Sequence, residues 1–273
     1  GCERTFANVY LWARFYNEGW AEIEGTAVFR TGQEGAYSYT YPIGAGDRKK
    51  VVEMLMEDAK EKGYPFQLHA VSKGEMEELE SYFPGKFNVE WPRDLEDYVY
   101  ETEKLINLSG KKYHGKKNHL NQFKAAYPDW KYETITDENV EECFQMALSW
   151  RNHNGCEDDP EKNQEMCVAL NSLRLFKELH LKGGLLRVNG KVVAYTLGEP
   201  VSDDTFVVHI EKAYADIRGA YTMINQQFLE HEVKDYTYVN REEDTGDEGL
   251  RTAKLSYRPV FMVEKGIVTL KGE

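Results

Sequence analysis

The densest group of reactive side chains lies near the C-terminal end. It runs Asn240-Arg241-Glu242-Glu243-Asp244-Thr245-Gly246 and then Gly249-Leu250-Arg251-Thr252-Ala253-Lys254-Leu255-Ser256-Tyr257. The group leaves a segment that reads as a strand, at the end of an open sheet where loops meet ligands. Carboxylates and cations are packed together there with no apolar stripe. Such a set suits proton transfer, in which an acid takes a proton from an amine while a cation or a tyrosine hydroxyl supports the other end. Glu242 and Asp244 are thus the candidate bases. Arg251 and Lys254 are candidate ligands for a substrate carboxylate or phosphate, with Asn240 beside them. The alternative is a solvated charged loop. Two glycines and the Leu-Ser-Tyr-Arg-Pro that follows argue for a more organised segment.

A second feature is the strand, glycine turn and helix of residues 206–228. Free backbone N–H groups at such a turn, together with the helix dipole, favour an anion such as a pyrophosphate. Arg218, Gly219 and Ala220 form the turn, and Arg218 adds a positive charge. Many α/β proteins carry this turn for structural reasons alone. A third feature is residues 108–128, with five lysines (Lys111, Lys112, Lys116, Lys117, Lys124), two histidines and no acid. Lys116 and Lys117 lie at its centre. The stretch suits a phosphate backbone. It equally suits the solvated face of a helix that turns Leu120, Phe123 and Tyr127 inward.

The whole chain carries a net charge of −13, which repels polyanions and argues against a large nucleic-acid footprint. With 273 residues, 41% hydrophobic and 30% charged, it has the composition of a soluble globular protein with room for two domains. No apolar run approaches the ~18 residues that a membrane span needs. No cleavable signal pattern is present, and a start without Met reads as trimmed. Cys2, Cys143, Cys156 and Cys167 form no C-x-x-C pair. Neither a metal site nor a disulfide framework is expected, and a reducing cytoplasm is the expected compartment. His209 and His231 read as structural, and His153-Asn154-Gly155-Cys156 as a turn.

Periodicity places helices over residues 6–16, 74–82, 137–150, 161–180 and 220–231, and one capped by Asp47 with Val52, Leu55, Met56 and Ala59 inward. Strands are expected at 36–43, 66–71, 86–91, 98–101, 130–135, 206–213, 236–240 and 259–263. Two tight hairpins turn at Glu24-Gly25 and Asn189-Gly190. A hairpin followed by a strand, a glycine turn and a helix thus occurs twice, with Gly44-Ala45-Gly46 in the first copy and Arg218-Gly219-Ala220 in the second. The repeat divides the chain into residues 1–129 and 130–273.

Residues 240–260, with His209-Ile210-Glu211-Lys212-Ala213-Tyr214 and Arg218-Gly219-Ala220-Tyr221, resemble a bacterial family related to the C-terminal domain of phosphatidylglycerol lysyltransferase. Phe6-Ala7-Asn8-Val9-Tyr10-Leu11-Trp12 and Leu108-Ser109-Gly110-Lys111-Lys112-Tyr113-His114 are similar to that family's other signature segments. The resemblance implies an α/β (α+β) fold of two tandem GNAT-like domains, each a mixed central sheet flanked by helices. It implies an acyl- or aminoacyl-transferase, with Glu211 among the substrate-binding residues. Its spacing Ala253-x-x-x-Tyr257 is similar to the GNAT helix that supplies a general-acid tyrosine. The acyl-CoA loop of GNAT proteins reads [QR]-x-x-G-x-[GA], whereas this chain has Asp216-Ile217-Arg218-Gly219-Ala220-Tyr221. Asp216 would face the phosphates unfavourably. Relatives of the lysyltransferase type take their acyl group from aminoacyl-tRNA. The expectation is therefore an enzyme without a tightly bound cofactor, using acyl-CoA or aminoacyl-tRNA as co-substrate. Its acceptor would be a small-molecule or peptide amine or a hydroxyl, and the basic stretch would meet a tRNA acceptor end. The competing class is a non-catalytic binding module that keeps the fold.

Overall fold

Turn chemistry and helix caps set the first elements of the computed structural model, which describes residues 1–272. Helix α1 (Phe6–Tyr16) buries Ala7 and Leu11. Glu24 and Gly25, both at positive φ, join β1 (Gly19–Ile23) to β2 (Thr26–Gln33), the backbone that a two-residue hairpin requires. Next come β3 (Ala36–Thr40) and the short β4 (Ile43–Gly44). Asp47 accepts the Lys50 backbone N–H at 3.0 Å and so caps α2 (Arg48–Lys62), which buries Val51, Val52, Leu55 and Ala59. Strand β5 (Gln67–Val71) leads to α3 (Lys73–Tyr82), opened by a reciprocal Ser72–Glu75 capping box, and then to β6 (Phe87–Glu90).

The chain then changes sheet. Strand β7 (Asp97–Glu101) has four consecutive buried residues, Asp97 to Tyr100, so both of its faces must be covered. It finds that cover in the second sheet. Helices α4 (Thr102–Asn107) and α5 (His114–Ala126) follow, and α5 sends Leu120 and Phe123 into the core of that same layer. After β8 (Lys131–Thr134) come α6 (Val140–His153), α7 (Pro160–Arg174) and the hairpin of β9 (Lys182–Val188) and β10 (Lys191–Pro200), turned at Asn189-Gly190. Strand β11 (Thr205–Ala213), α8 (Ala220–Phe228), β12 (Tyr238–Asn240), α9 (Glu248–Leu255) and β13 (Phe261–Val263) complete this layer. The last strand, β14 (Gly266–Leu270), returns to the first sheet between β5 and β6.

Two mixed seven-stranded sheets result. The first has the order β1-β2-β3-β5-β14-β6 with β4 on β2, and the second β13-β7-β12-β11-β10-β9-β8. The sheets therefore do not divide at residue 130 as the internal repeat suggests, because β7 from before that point joins the second sheet and β14 from after it joins the first. Strand β14 was not anticipated. The helix expected over residues 161–180 ends at Arg174 and gives way to turns.

Two irregularities shape the second sheet. In the β10–β11 ladder Leu197 pairs with Ile210 and Gly198 with Val208, which leaves His209 as a bulge. The bulge flips the alternation, so that Val208 packs in the core with Phe228 while Ile210 packs in the core of α6 and α7. Strands β11 and β12 are parallel but pair over three positions only, Thr205 with Tyr238 through Val207 with Asn240. Past Val207 they diverge. Alongside them α8 is buried over Thr222 to Phe228, including Asn225, Gln226 and Gln227.

Both glycine turns are filled by protein. A Cβ on Gly46 would lie 1.9 Å from the Glu24 carbonyl oxygen, so the first hairpin sits in that turn. Gly219 has φ +88°, and a Cβ there would lie 2.5 Å from the His119 carbonyl oxygen of α5. The glycine lets α5 cross α8 closely. Gly219→Ala should therefore cost more than about 2 kcal/mol in urea unfolding, from backbone strain and the clash with α5. Gly63, at φ +75° with nothing within 4 Å, is the control, and Gly63→Ala should cost about 1 kcal/mol.

Candidate functional site

The diverging ends of β11 and β12 carry charged side chains that meet across the gap. Beyond the bulge, Glu211 accepts from Arg241 Nη2 at 2.9 Å through Oε1 and from Asn225 Nδ2 of α8 at 3.0 Å through Oε2. The Arg241 guanidinium lies 4.9 Å from the centroid of the Tyr257 ring and 5.9 Å from that of Tyr100. Lys116 leans in from α5, its Nζ 3.8 Å from the Tyr257 centroid. The Tyr257 hydroxyl donates to Thr222 Oγ1 at 3.3 Å. Burial raises the pKa of Tyr257, so its phenol keeps its proton. Burial and then the nearby Arg241 lower that of Lys116 to about 8. Arg241 Nη1 is buried without a hydrogen-bond partner.

One residue further, Glu242 turns to the bulge. His209 donates through Nδ1 to Glu242 Oε1 at 2.7 Å and through Nε2 to Glu199 Oε1 at 3.0 Å. Burial opposes charge on this imidazole, but Glu242 and Glu199 outweigh it and raise its pKa to about 9. The Ala7 N–H of α1 also reaches Glu199, at 3.1 Å. His209 is thus a cation clamped by two carboxylates.

The loop after β12 is fastened from beneath. Asp244, with no exposed side-chain surface, accepts from Arg251 Nε and Nη2, both at 2.9 Å, from Tyr98 Oη at 2.5 Å and from the Gly246 N–H at 3.0 Å. Arg251 holds its carboxyl well below the usual carboxylate range. Arg251 also meets Asp94 and Glu248. Lys254 is buried, and its ammonium donates to the carbonyls of Arg241 at 2.7 Å, Glu242 at 3.2 Å and Glu243. Asn240 Oδ1 receives the Glu242 N–H at 2.7 Å, while its amide donates to Asp97 at 2.8 Å. Asp244, Arg251, Lys254 and Asn240 therefore have their polar atoms directed into the loop. With Arg251 and Lys254 turned inward, α9 leaves Leu250 and Leu255 outside.

The remaining predicted residues lie apart. Arg218 is exposed, Ala220 is buried and its N–H donates to the Ile217 carbonyl, and the face of Gly219 is occupied by α5. Lys117 points to solvent with Lys111, Lys112 and Lys124, so of the basic stretch Lys116 is the lysine turned inward. Cys2, Glu3 and Asp97 bring a thiol and two carboxylates within 4.8 Å of one another. Lys265 already supplies a cation there, contacting Glu3, Asp97 at 2.7 Å and Glu243 at 3.0 Å. The four thiols are unpaired.

The family model described as phosphatidylglycerol lysyltransferase, C-terminal, matches residues 1–268. The chain belongs to this family. A crystal structure of a conserved protein of unknown function from Bacteroides thetaiotaomicron VPI-5482 is 39% identical, with a TM-score of 0.94 over 99% of this chain and 91% of that one. The structure of L-PGS from Bacillus licheniformis shares the fold at 14% identity, with a TM-score of 0.65 over 93% of this chain and 84% of that one. An uncharacterized protein of Mycoplasmoides gallisepticum is 26% identical over 175 residues, 63% of this chain and 55% of that protein's length. The two mixed sheets with their flanking helices are the mixed α/β architecture that the family likeness implied. No described helix is long and apolar enough to cross a membrane.

Sequence reasoning passed over Arg241, Thr222 and Asn225. Arg241 was hidden within a charge run. Thr222 and Asn225 were hidden because their burial in α8 is set by packing, which the sequence pattern does not report.

Asp244→Asn should lower stability at pH 7 by about 2 kcal/mol, as a charge-assisted network is lost. The depressed carboxyl contributes stability above the unfolded carboxylate pKa of about 4, and that contribution is lost as pH falls through the lower folded value. Denaturant titrations should show the difference between wild type and variant narrowing below pH 4. For His209 the sign is opposite. Its raised pKa gives stability below about pH 6.5 that disappears as pH rises through about 9. The stability gap between wild type and His209→Gln should close over that alkaline interval.

Proposed function

We propose that this chain transfers an acyl or aminoacyl group from a phosphate-bearing donor to an amine or hydroxyl acceptor, and that transfer takes place where β11 and β12 diverge. The observation that carries this reading is Tyr257, a neutral phenol held in the gap between Thr222, Lys116 and Arg241. A protonated phenol there can donate to the leaving oxygen or sulfur as the acyl carbon is attacked. Glu242 is turned to His209 and away from the gap, so the proton of the attacking amine passes to solvent.

Of the two donors, aminoacyl-tRNA fits better than acyl-CoA. The turn at Gly219 is covered by the His119 carbonyl, which leaves little room for a pyrophosphate. Lys117 and Lys124 are exposed on α5, from which Lys116 enters the gap, and Lys111 and Lys112 are exposed on the turn before it. Phosphates tracking those lysines would lead an ester-linked acyl group toward Tyr257. Asp244, Arg251 and Lys254 act on this reading as the frame that positions Arg241 and Glu242. The acceptor is a small-molecule or peptide amine or a hydroxyl. Unpaired thiols fit a cytoplasmic setting.

The test is a single-turnover assay of the full chain with radiolabelled aminoacyl-tRNA or acetyl-CoA and a panel of amine and hydroxyl acceptors. Wild type should release deacylated tRNA in an acceptor-dependent manner, and Tyr257→Phe should slow release by about a hundredfold or more while unfolding normally. Release by Tyr257→Phe at the wild-type rate would remove the general-acid role. Consumption of neither donor would leave a binding module that retains the fold.

A further inference from the structure

The gap between β11 and β12 has an uneven charge balance. Glu211 is the carboxylate paired with Arg241, and both of its oxygens are engaged, by Arg241 Nη2 and Asn225 Nδ2. Facing it are two cations, Arg241 and Lys116. Among the described residues Lys116 has no ion-pair partner and rests on the Tyr257 ring instead. The other polar groups around Arg241, Tyr100 and Tyr257, are neutral phenols whose protons burial retains. Tyr100 already donates to the Lys254 carbonyl at 2.9 Å. Water could satisfy the buried Arg241 Nη1, but it could not balance the charge.

We infer that Arg241 Nη1 and Lys116 form a subsite for a monoanionic oxyanion, either a carboxylate or a phosphodiester. Its charge would bring the Glu211, Arg241 and Lys116 group to neutrality, whereas a dianion would leave a buried excess of negative charge. The guanidinium supplies directed N–H donors and the ammonium an adaptable point charge, a pairing suited to an oxygen pair at one end of a larger ligand. The inference deepens the transfer reading, on which it rests for its ligand, because the anion would belong to the donor or the acceptor beside the reacting carbonyl.

The experiment titrates the full chain, at constant ionic strength, with acetate, with dimethyl phosphate, and with chloride as control, followed by calorimetry and thermal unfolding. Saturable binding of acetate or of dimethyl phosphate is expected, and the anion that binds identifies the source. Affinity should fall about tenfold between pH 7 and pH 9.5 as Lys116 loses its proton. Lys116→Gln should bind weakly with no pH dependence, and Lys116→Arg should bind at both pH values. A response equal to that of chloride, or equal binding by wild type and a folded Lys116→Gln, would overturn the subsite. Binding is read without turnover, which keeps the two ideas separable. Lost anion affinity with intact transfer removes the subsite alone, and intact affinity with no transfer removes the transfer reading alone.

Discussion

Two buried charges of opposite sign, Asp244 and Lys254, hold the segment after β12 in one conformation. Asp244 gathers Arg251, Tyr98 and the Gly246 N–H, and Lys254 gathers three consecutive carbonyls. A run of adjacent charges in water would otherwise keep its backbone solvated and mobile, since exposed ion pairs contribute little. Here desolvated partners make any departure expensive, because each would leave a buried charge unpaired. Arg241 and Glu242 can therefore point in different directions from neighbouring positions, one into the gap with α8 and the other to His209. Precise placement of reactive groups depends on such support from beneath.

The second constraint is the bulge at His209. A regular β11 would keep one alternation along its length, with Glu211 on the face opposite Val208 and Phe206 carried unbroken to the strand end. One extra residue resets the alternation, so that Glu211 reaches Asn225 on α8 while His209 is freed to bind two carboxylates. The short parallel pairing with β12 then opens the space into which Tyr257 and Lys116 fit. The layers are also tied together. Lys265, between β13 and β14, joins Glu3, Asp97 and Glu243 at the point where the chain crosses from one sheet to the other.

Much of this was legible in the residues. The Asn189-Gly190 turn, the Asp47 cap and the stripe of α2 follow from local chemistry, and the structure has them where the pattern puts them. The family likeness carried the fold class, and the polar segment near Tyr257 is indeed organised. Less was legible where a local signal had two uses. A glycine before a helix serves an anion or a close helix crossing, and only the partner, here the His119 carbonyl, decides between them. Charges in a run look alike in sequence, yet Asp244 and Arg251 fasten the loop while Arg241 faces the gap. Exchange of β7 and β14 between sheets is set by pairings distant along the chain, which periodicity does not report.

The central claim is that acyl transfer occurs in the gap beneath Tyr257. Its most direct test is a crystal structure of the full chain with a non-hydrolysable 3′-aminoacylamino-adenosine, an analogue of the aminoacyl ester end. The amide carbonyl should lie within hydrogen-bond reach of the Tyr257 hydroxyl, with the nucleoside extending toward α5. The analogue seated instead at the exposed Arg218 turn, or in the open cleft between Arg14 and Tyr37, with the gap unoccupied, would contradict it.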